Sequence, residues 1–148
     1  MAALFFIFIN SLCGLAVPSS AAAFEKKPLA IITATGRHEL TVEVASTSHE
    51  LQQGLMFRRS LGAGEGMLFI YAKPHEVKMW MKNTYISLDM VFVRENGTVL
   101  RVERDTEPFS LRTIESGGPA IAVIELLAGS ADRLGIKSGD KVDYSTFK

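Results

Sequence analysis

Apolar and polar side chains alternate along much of this chain with the period of a β-strand. Leu40, Val42 and Val44 fall on one face of residues 39–45, while Glu39, Thr41 and Glu43 fall on the other, the two-residue repeat of a half-buried strand. A partner strand is expected over 29–34, with a turn at Gly36-Arg37 between the two. At Thr47 the period changes. Thr47-Ser48-His49-Glu50 is a capping box, in which the threonine caps the third helical N–H and the glutamate reaches back. Leu51, Leu55 and Met56 then supply the apolar stripe of a short helix.

Beyond the helix, Gly62-Ala63-Gly64-Glu65-Gly66 reads as a loop and 67–71 as a buried strand. Pro74 punctuates before a strand at 76–81. Asn96-Gly97 is the strongest short hairpin signal, joining 87–93 to 98–104. The first arm is apolar on both faces, which puts it in the middle of a sheet. Ser116-Gly117-Gly118-Pro119 reads as a turn, and 120–127 as an apolar run broken by Glu125. Ser130 opens a helical turn that Gly135 closes, and 141–144 forms a last strand. Seven or eight short strands with one or two short helices predict a mostly β protein, a compact antiparallel sandwich or barrel-like domain. Without repeat, heptad or linker, residues 24–148 form one domain.

The amino terminus differs from the rest. Residues 4–17 are apolar or small except for Asn10, Ser11 and Gly14, and Pro18-Ser19-Ser20 ends the run. Ala21-Ala22-Ala23 then offers the small-x-small pattern of a signal peptidase site. The run is shorter than the roughly 20 residues a membrane helix needs, and Lys26 and Lys27 follow it at once. Residues 1–23 are therefore expected to be a cleaved signal peptide. The mature chain is expected to be periplasmic or secreted and free of the membrane. Cys13 lies inside this leader, so the mature chain has no thiol for a disulfide or a Cys-type metal site. The 16 basic and 16 acidic side chains balance, which supplies no footprint for nucleic acid and no polybasic anchor.

Charge inside apolar β runs is the one chemical irregularity. Lys82 follows Met79-Trp80-Met81, Asp89 interrupts 86–93, and Glu125 interrupts 120–127. A charge in such a run faces solvent, pairs, or shifts its pKa. The three histidines are too scattered for a paired zinc motif, and Gly62-x-Gly64-x-Gly66 precedes a strand instead of the helix a phosphate loop requires. No cofactor or metal is expected on these grounds. A lesser alternative is Cu(I) held by Met79, Met81 and His75, since thioethers with imidazole suit that ion.

The stretches 54–61 (Gly-Leu-Met-Phe-Arg-Arg-Ser-Leu), 66–69 (Gly-Met-Leu-Phe) and 80–84 (Trp-Met-Lys-Asn-Thr) resemble the bacterial and archaeal family called domain of unknown function 192. So do 86–92 and the passage from Pro119-Ala120 to Glu125-Leu126. The likeness spans about 38–143. Met79 stands where the family commonly has Phe, and Ser87 where it commonly has Pro. The resemblance implies a compact, mostly β, often exported domain with no established activity. It also implies a polar signature of Arg58, Trp80, Lys82, Asn83, Asp89 and Glu125. The first functional expectation is a non-catalytic binding module, in which these residues contact a small molecule or an envelope component. The alternative is a hydrolase with Asp89 and Glu125 as its acid/base pair, which requires the two carboxylates to converge.

Overall fold

The computed structural model describes residues 24–147; the expected signal peptide lies outside the described residues. The chain runs β1 (Glu25–Thr33), β2 (Gly36–Ala45), α1 (Ser48–Gln53), β3 (Glu65–Met79), β4 (Leu88–Val93), β5 (Val99–Glu103), β6 (Ile114–Leu127), α2 (Ser130–Leu134) and β7 (Lys141–Asp143). The strands form one curled, half-barrel sheet in the order β5-β4-β6-β3-β2-β1-β7. Mostly β architecture with two short helices is thus as expected. All neighbouring strands are antiparallel except β2 and β3, which are parallel. A parallel pair needs a crossover, and α1 with its following loop supplies it.

Three local expectations are corrected. The β1–β2 turn falls at residues 34–35, between the paired Thr33 and Gly36, so Gly36-Arg37 already belongs to β2. Pro74 does not end a strand: β3 passes through it, with a register shift between Ile70 and His75. Likewise β6 passes through Ser116 to Pro119. Bulges let strands absorb residues that ladders exclude, at the cost of a bend. β3 and β6 therefore form one long bent pair at the middle of the sheet.

The sheet is apolar on both faces. Inside the curl pack Leu29, Ile31, Val42, Leu68, Ile124 and Leu126, with Ala131 and Ile136 from α2 and its exit. Outside pack Met67, Phe69, Leu88, Met90, Phe92 and Val123, covered by Leu55, Met81 and Ile114 with partly buried Leu51. Each such large side chain, fully buried, contributes about 1.5–3 kcal/mol. The capping box is present as expected: Thr47 Oγ1 accepts from the Glu50 N–H (3.3 Å), and Glu50 Oε2 accepts from the Thr47 N–H (2.9 Å). The Ser46 and Thr47 N–H groups hold the Glu50 carboxyl below its ordinary range. At one end the open sheet is stitched shut. Thr98 bridges to Lys141, the Val99 N–H donates to Asp140 O (2.8 Å), and the Val142 N–H donates to Gly97 O (2.8 Å).

Candidate functional site

Cross-strand register builds a row across the outer face. Glu43 of β2 faces Met67 of β3, Met67 faces Glu125 of β6, Glu125 faces Met90 of β4, and Met90 faces Glu103 of β5. Three glutamates thus alternate with two methionines. The outer two have arginines: Arg58 pairs with Glu43, and Arg101 and Arg112 pair with Glu103. Glu125, between them, has none. It is 4% exposed, and among the described residues no side chain or backbone group hydrogen-bonds its carboxyl. Burial pushes its pKa up to about 8, because desolvation penalises the charged form.

Glu125 lines a cleft of about 210 Å³ beneath α1. Leu51 and Leu55 of the helix region and Phe69 of β3 give it apolar walls, while Trp80, Lys78 and Lys82 also line it. The Tyr71 hydroxyl donates to Met79 Sδ (3.4 Å) along the same wall. Burial, aided by the Glu125 charge, drives the Tyr71 pKa to about 12. The Lys82 ammonium lies 5.1 Å from the Trp80 ring centre, a cation–π contact. Close strand approach behind the site depends on Gly66. A Cβ there meets the Glu125 carbonyl oxygen at 2.7 Å, so any side chain at this position displaces β6.

The six signature residues divide. Glu125, Trp80 and Lys82 share the cleft. Asn83, at φ 56, is a backbone corner whose carbonyl accepts the Phe57 N–H (2.8 Å). Arg58 is committed to Glu43. Asp89 lies on the other face of the sheet: it pairs in register with inward-facing Leu126, whereas Glu125 pairs with outward-facing Met90. Its Oδ2 accepts the Ala131 N–H (2.7 Å) and its Oδ1 the Asp105 N–H (3.1 Å). Asp89 therefore caps α2 from a distant strand, where Gly129 offers no side chain and the expected cap Ser130 is already helical. The acid/base pair of Asp89 and Glu125 is not assembled, because strand alternation sends the two carboxylates to opposite sides.

Each member of the proposed copper set has another partner. Met81 is buried, its sulfur accepting the Thr106 hydroxyl (3.2 Å). Met79 takes the Tyr71 hydroxyl, and His75 stands edge-on to Tyr71 at 4.9 Å. Among the described residues, no three His, Asp or Glu side chains gather as a metal-binding group, and no helix is long and apolar enough to cross a membrane. Sequence reading missed Tyr71 and Lys78 as cleft residues. Tyr71 was detectable as the polar-tipped end of an apolar strand, but its direction depended on a bulge.

The comparisons with known proteins agree with this fold. None of the curated proteins matches the chain. A protein from Sinorhizobium meliloti 1021, described as a candidate transcription regulator, is 41% identical with a TM-score of 0.80, over 82% of this chain and 95% of its own. A protein of unknown function from Novosphingobium aromaticivorans DSM 12444 is 39% identical with a TM-score of 0.80, over 86% of this chain and 90% of its own. The model for domain of unknown function 192, described as an uncharacterized ACR, matches residues 30–144, and the chain belongs to that family.

Proposed function

We propose that this chain is an exported, non-catalytic binding module whose ligand is a small organic anion with an apolar body, seated in the Glu125 cleft. The carrying observation is the orphan carboxyl: Glu125 alone of the three row glutamates lacks a cation, and it lines a cavity. Near neutral pH it is protonated. A buried acid of this kind donates one hydrogen bond and accepts another. A ligand oxygen at the inner end satisfies the donor, while Leu51, Leu55 and Phe69 take the apolar body. Lys82 favours negative charge on the ligand, and Trp80 supplies an apolar face beside it; Lys78 is committed to Glu115 (3.1 Å). Small-molecule sites have this composition, mostly apolar with few polar groups.

The description of the Sinorhizobium relative as a candidate transcription regulator finds no support in this chain's balanced charge. The test is a fluorescence titration of Trp80, the single tryptophan, with 4-hydroxyphenylacetate and phenylacetate. Saturable binding is expected for both, tighter for the hydroxylated probe. Glu125→Leu abolishes that preference and Lys82→Gln weakens both. If neither probe gives a saturable signal, or Glu125→Leu leaves the preference intact, the reading fails.

A further inference from the structure

Two proton donors line the Glu125 cleft, and neither has a strong acceptor. The first is Glu125 itself. Its carboxyl is buried and receives no hydrogen bond among the described residues, and a carboxyl so placed holds its proton, since an unpaired buried charge costs several kcal/mol. The second is Tyr71 of β3, which packs against the outer cluster of the sheet, on the side Glu125 faces. Among the described residues its hydroxyl donates to Met79 Sδ alone, at 3.4 Å, and a thioether is a weak acceptor. Buried tyrosine hydroxyls ordinarily find a better partner. The Glu125 charge acts on the Tyr71 hydroxyl, so the two groups lie within electrostatic reach of one another.

The other titratable groups on the cleft wall are cations. Lys78 of β3 pairs with Glu115 (3.1 Å), and Lys82 rests against Trp80. From α1 come Leu51 and the neutral amides of Gln52 and Gln53. Among the described residues, Glu125 is the one carboxyl on the wall. Size is a further constraint. An apolar cavity of about 150 Å³ takes one benzene ring, so a cleft of about 210 Å³ holds a single ring with its substituents.

A ligand oxygen between the two groups accepts a hydrogen bond from each. A hydroxyl there carries a proton of its own, and its only neighbours are already donating to it. A proton-free, negatively charged oxygen has no such surplus, and its charge strengthens both bonds. We propose that Tyr71 and Glu125 together form a two-donor hole for a phenolate oxygen, so that the cleft selects single-ring phenol acids and binds them ionised at the phenol. Resting on the binding function proposed for the cleft, this assignment makes Tyr71 the residue that sets ligand choice. The phenolic proton passes to solvent on binding, while Glu125 and Tyr71 keep theirs. The opposite arrangement, a neutral phenol donating to a Glu125 carboxylate, leaves Tyr71 without a role. A neutral buried carboxyl beside a tyrosine is a known device for holding an oxyanion in an apolar site.

The probe is 4-hydroxy-3-nitrophenylacetate, whose hydroxyl ionises near neutral pH and whose phenolate is coloured. It is titrated with the full chain at a pH where the phenol of the free probe is mostly neutral. The phenolate band is expected to grow, with the ionisation equilibrium shifted about tenfold or more on binding. Tyr71→Phe should lose most of that shift and still bind phenylacetate as wild type does, which a merely structural role for Tyr71 would not allow. Circular dichroism checks the fold of the variant, and the wild-type spectrum stands without it. If phenylacetate and the hydroxylated probes all fail to bind, the cleft function and this assignment fall together. If they bind and the phenolate band does not grow, the cleft function stands and the two-donor hole is overturned. Equal binding of 3-nitrophenylacetate, which lacks the hydroxyl, gives the hold to the nitro group and also overturns it. So does an undiminished shift in Tyr71→Phe.

Discussion

Asp89 and Glu125 sit on adjacent strands, one residue out of register, and both are buried. Their circumstances are opposite. Asp89 faces the inside of the curl and receives two backbone N–H groups; Glu125 faces the outside and receives nothing among the described residues. The first is part of the scaffold, tying β4 to α2 and to the loop after β5. The second is stored, desolvated polarity opening on a cavity. Burial of a carboxylate alone therefore marks no site. What distinguishes the two is whether the fold answers the charge, and the row from Glu43 to Glu103 makes the same point, since its ends are answered by arginines.

The comparison breaks most visibly at Asp89. Asp89→Ala strands the buried Ala131 N–H, at about 1–3 kcal/mol, and takes an acceptor from the N–H of exposed Asp105, at about 1 kcal/mol. A loss of about 2–4 kcal/mol is expected in urea unfolding, with α2 losing hydrogen-exchange protection first. A loss under about 1 kcal/mol would mean that Asp89 is no cap.

Glu125→Gln should act in the other direction, and with pH. The folded chain holds the Glu125 proton with a pKa of about 8, against 4.5 ordinarily. Below about 4.5 both states are protonated, and this contribution to stability is fully present. As pH rises towards 8 it is lost, because the unfolded chain ionises freely and the folded one does not. Wild type should therefore lose stability relative to Glu125→Gln across that window, by up to about 1.4 kcal/mol per pH unit, and level off above it. A difference that stays flat with pH would show Glu125 to be already ionised and answered.

The smallest effect is expected at Arg58. Its pair with Glu43 is half exposed, and such pairs contribute up to about 1 kcal/mol. Arg58→Ala should shift the urea midpoint slightly and leave the Trp80 titration unchanged. Loss of probe binding would bring Arg58 back into the site.

Much of the fold was legible. Alternation in 39–45 marks β2, Asn96-Gly97 marks the hairpin with Gly97 at φ 75, and the capping box at Thr47 marks α1. Residues that stop most strands misled: Pro74 and Gly117-Gly118-Pro119 are absorbed in bulges of the long β3–β6 pair, where partner strands override local preference. The parallel β2–β3 pair was hidden because α1 is too short to announce a crossover. The signature charges were visible as interruptions, but which of them share a face was not. β4 and β6 are apolar on both sides, so period two separates odd from even within each strand and leaves the match between strands to register. The cluster of aromatic rings around Tyr85 was missed for another reason. Phe57, Tyr85 and Phe109 lie far apart in sequence and meet only through loop-to-loop hydrogen bonds.

The stitch between Thr98 and Lys141 has a consequence for life in a crowded compartment. An open seven-stranded sheet ends in two margins, β5 and β7, each a template on which another molecule could polymerise. Here each margin is short, at five and three residues, and they are pinned to one another at one end. The molecule guards itself against fibrous assembly with its own backbone.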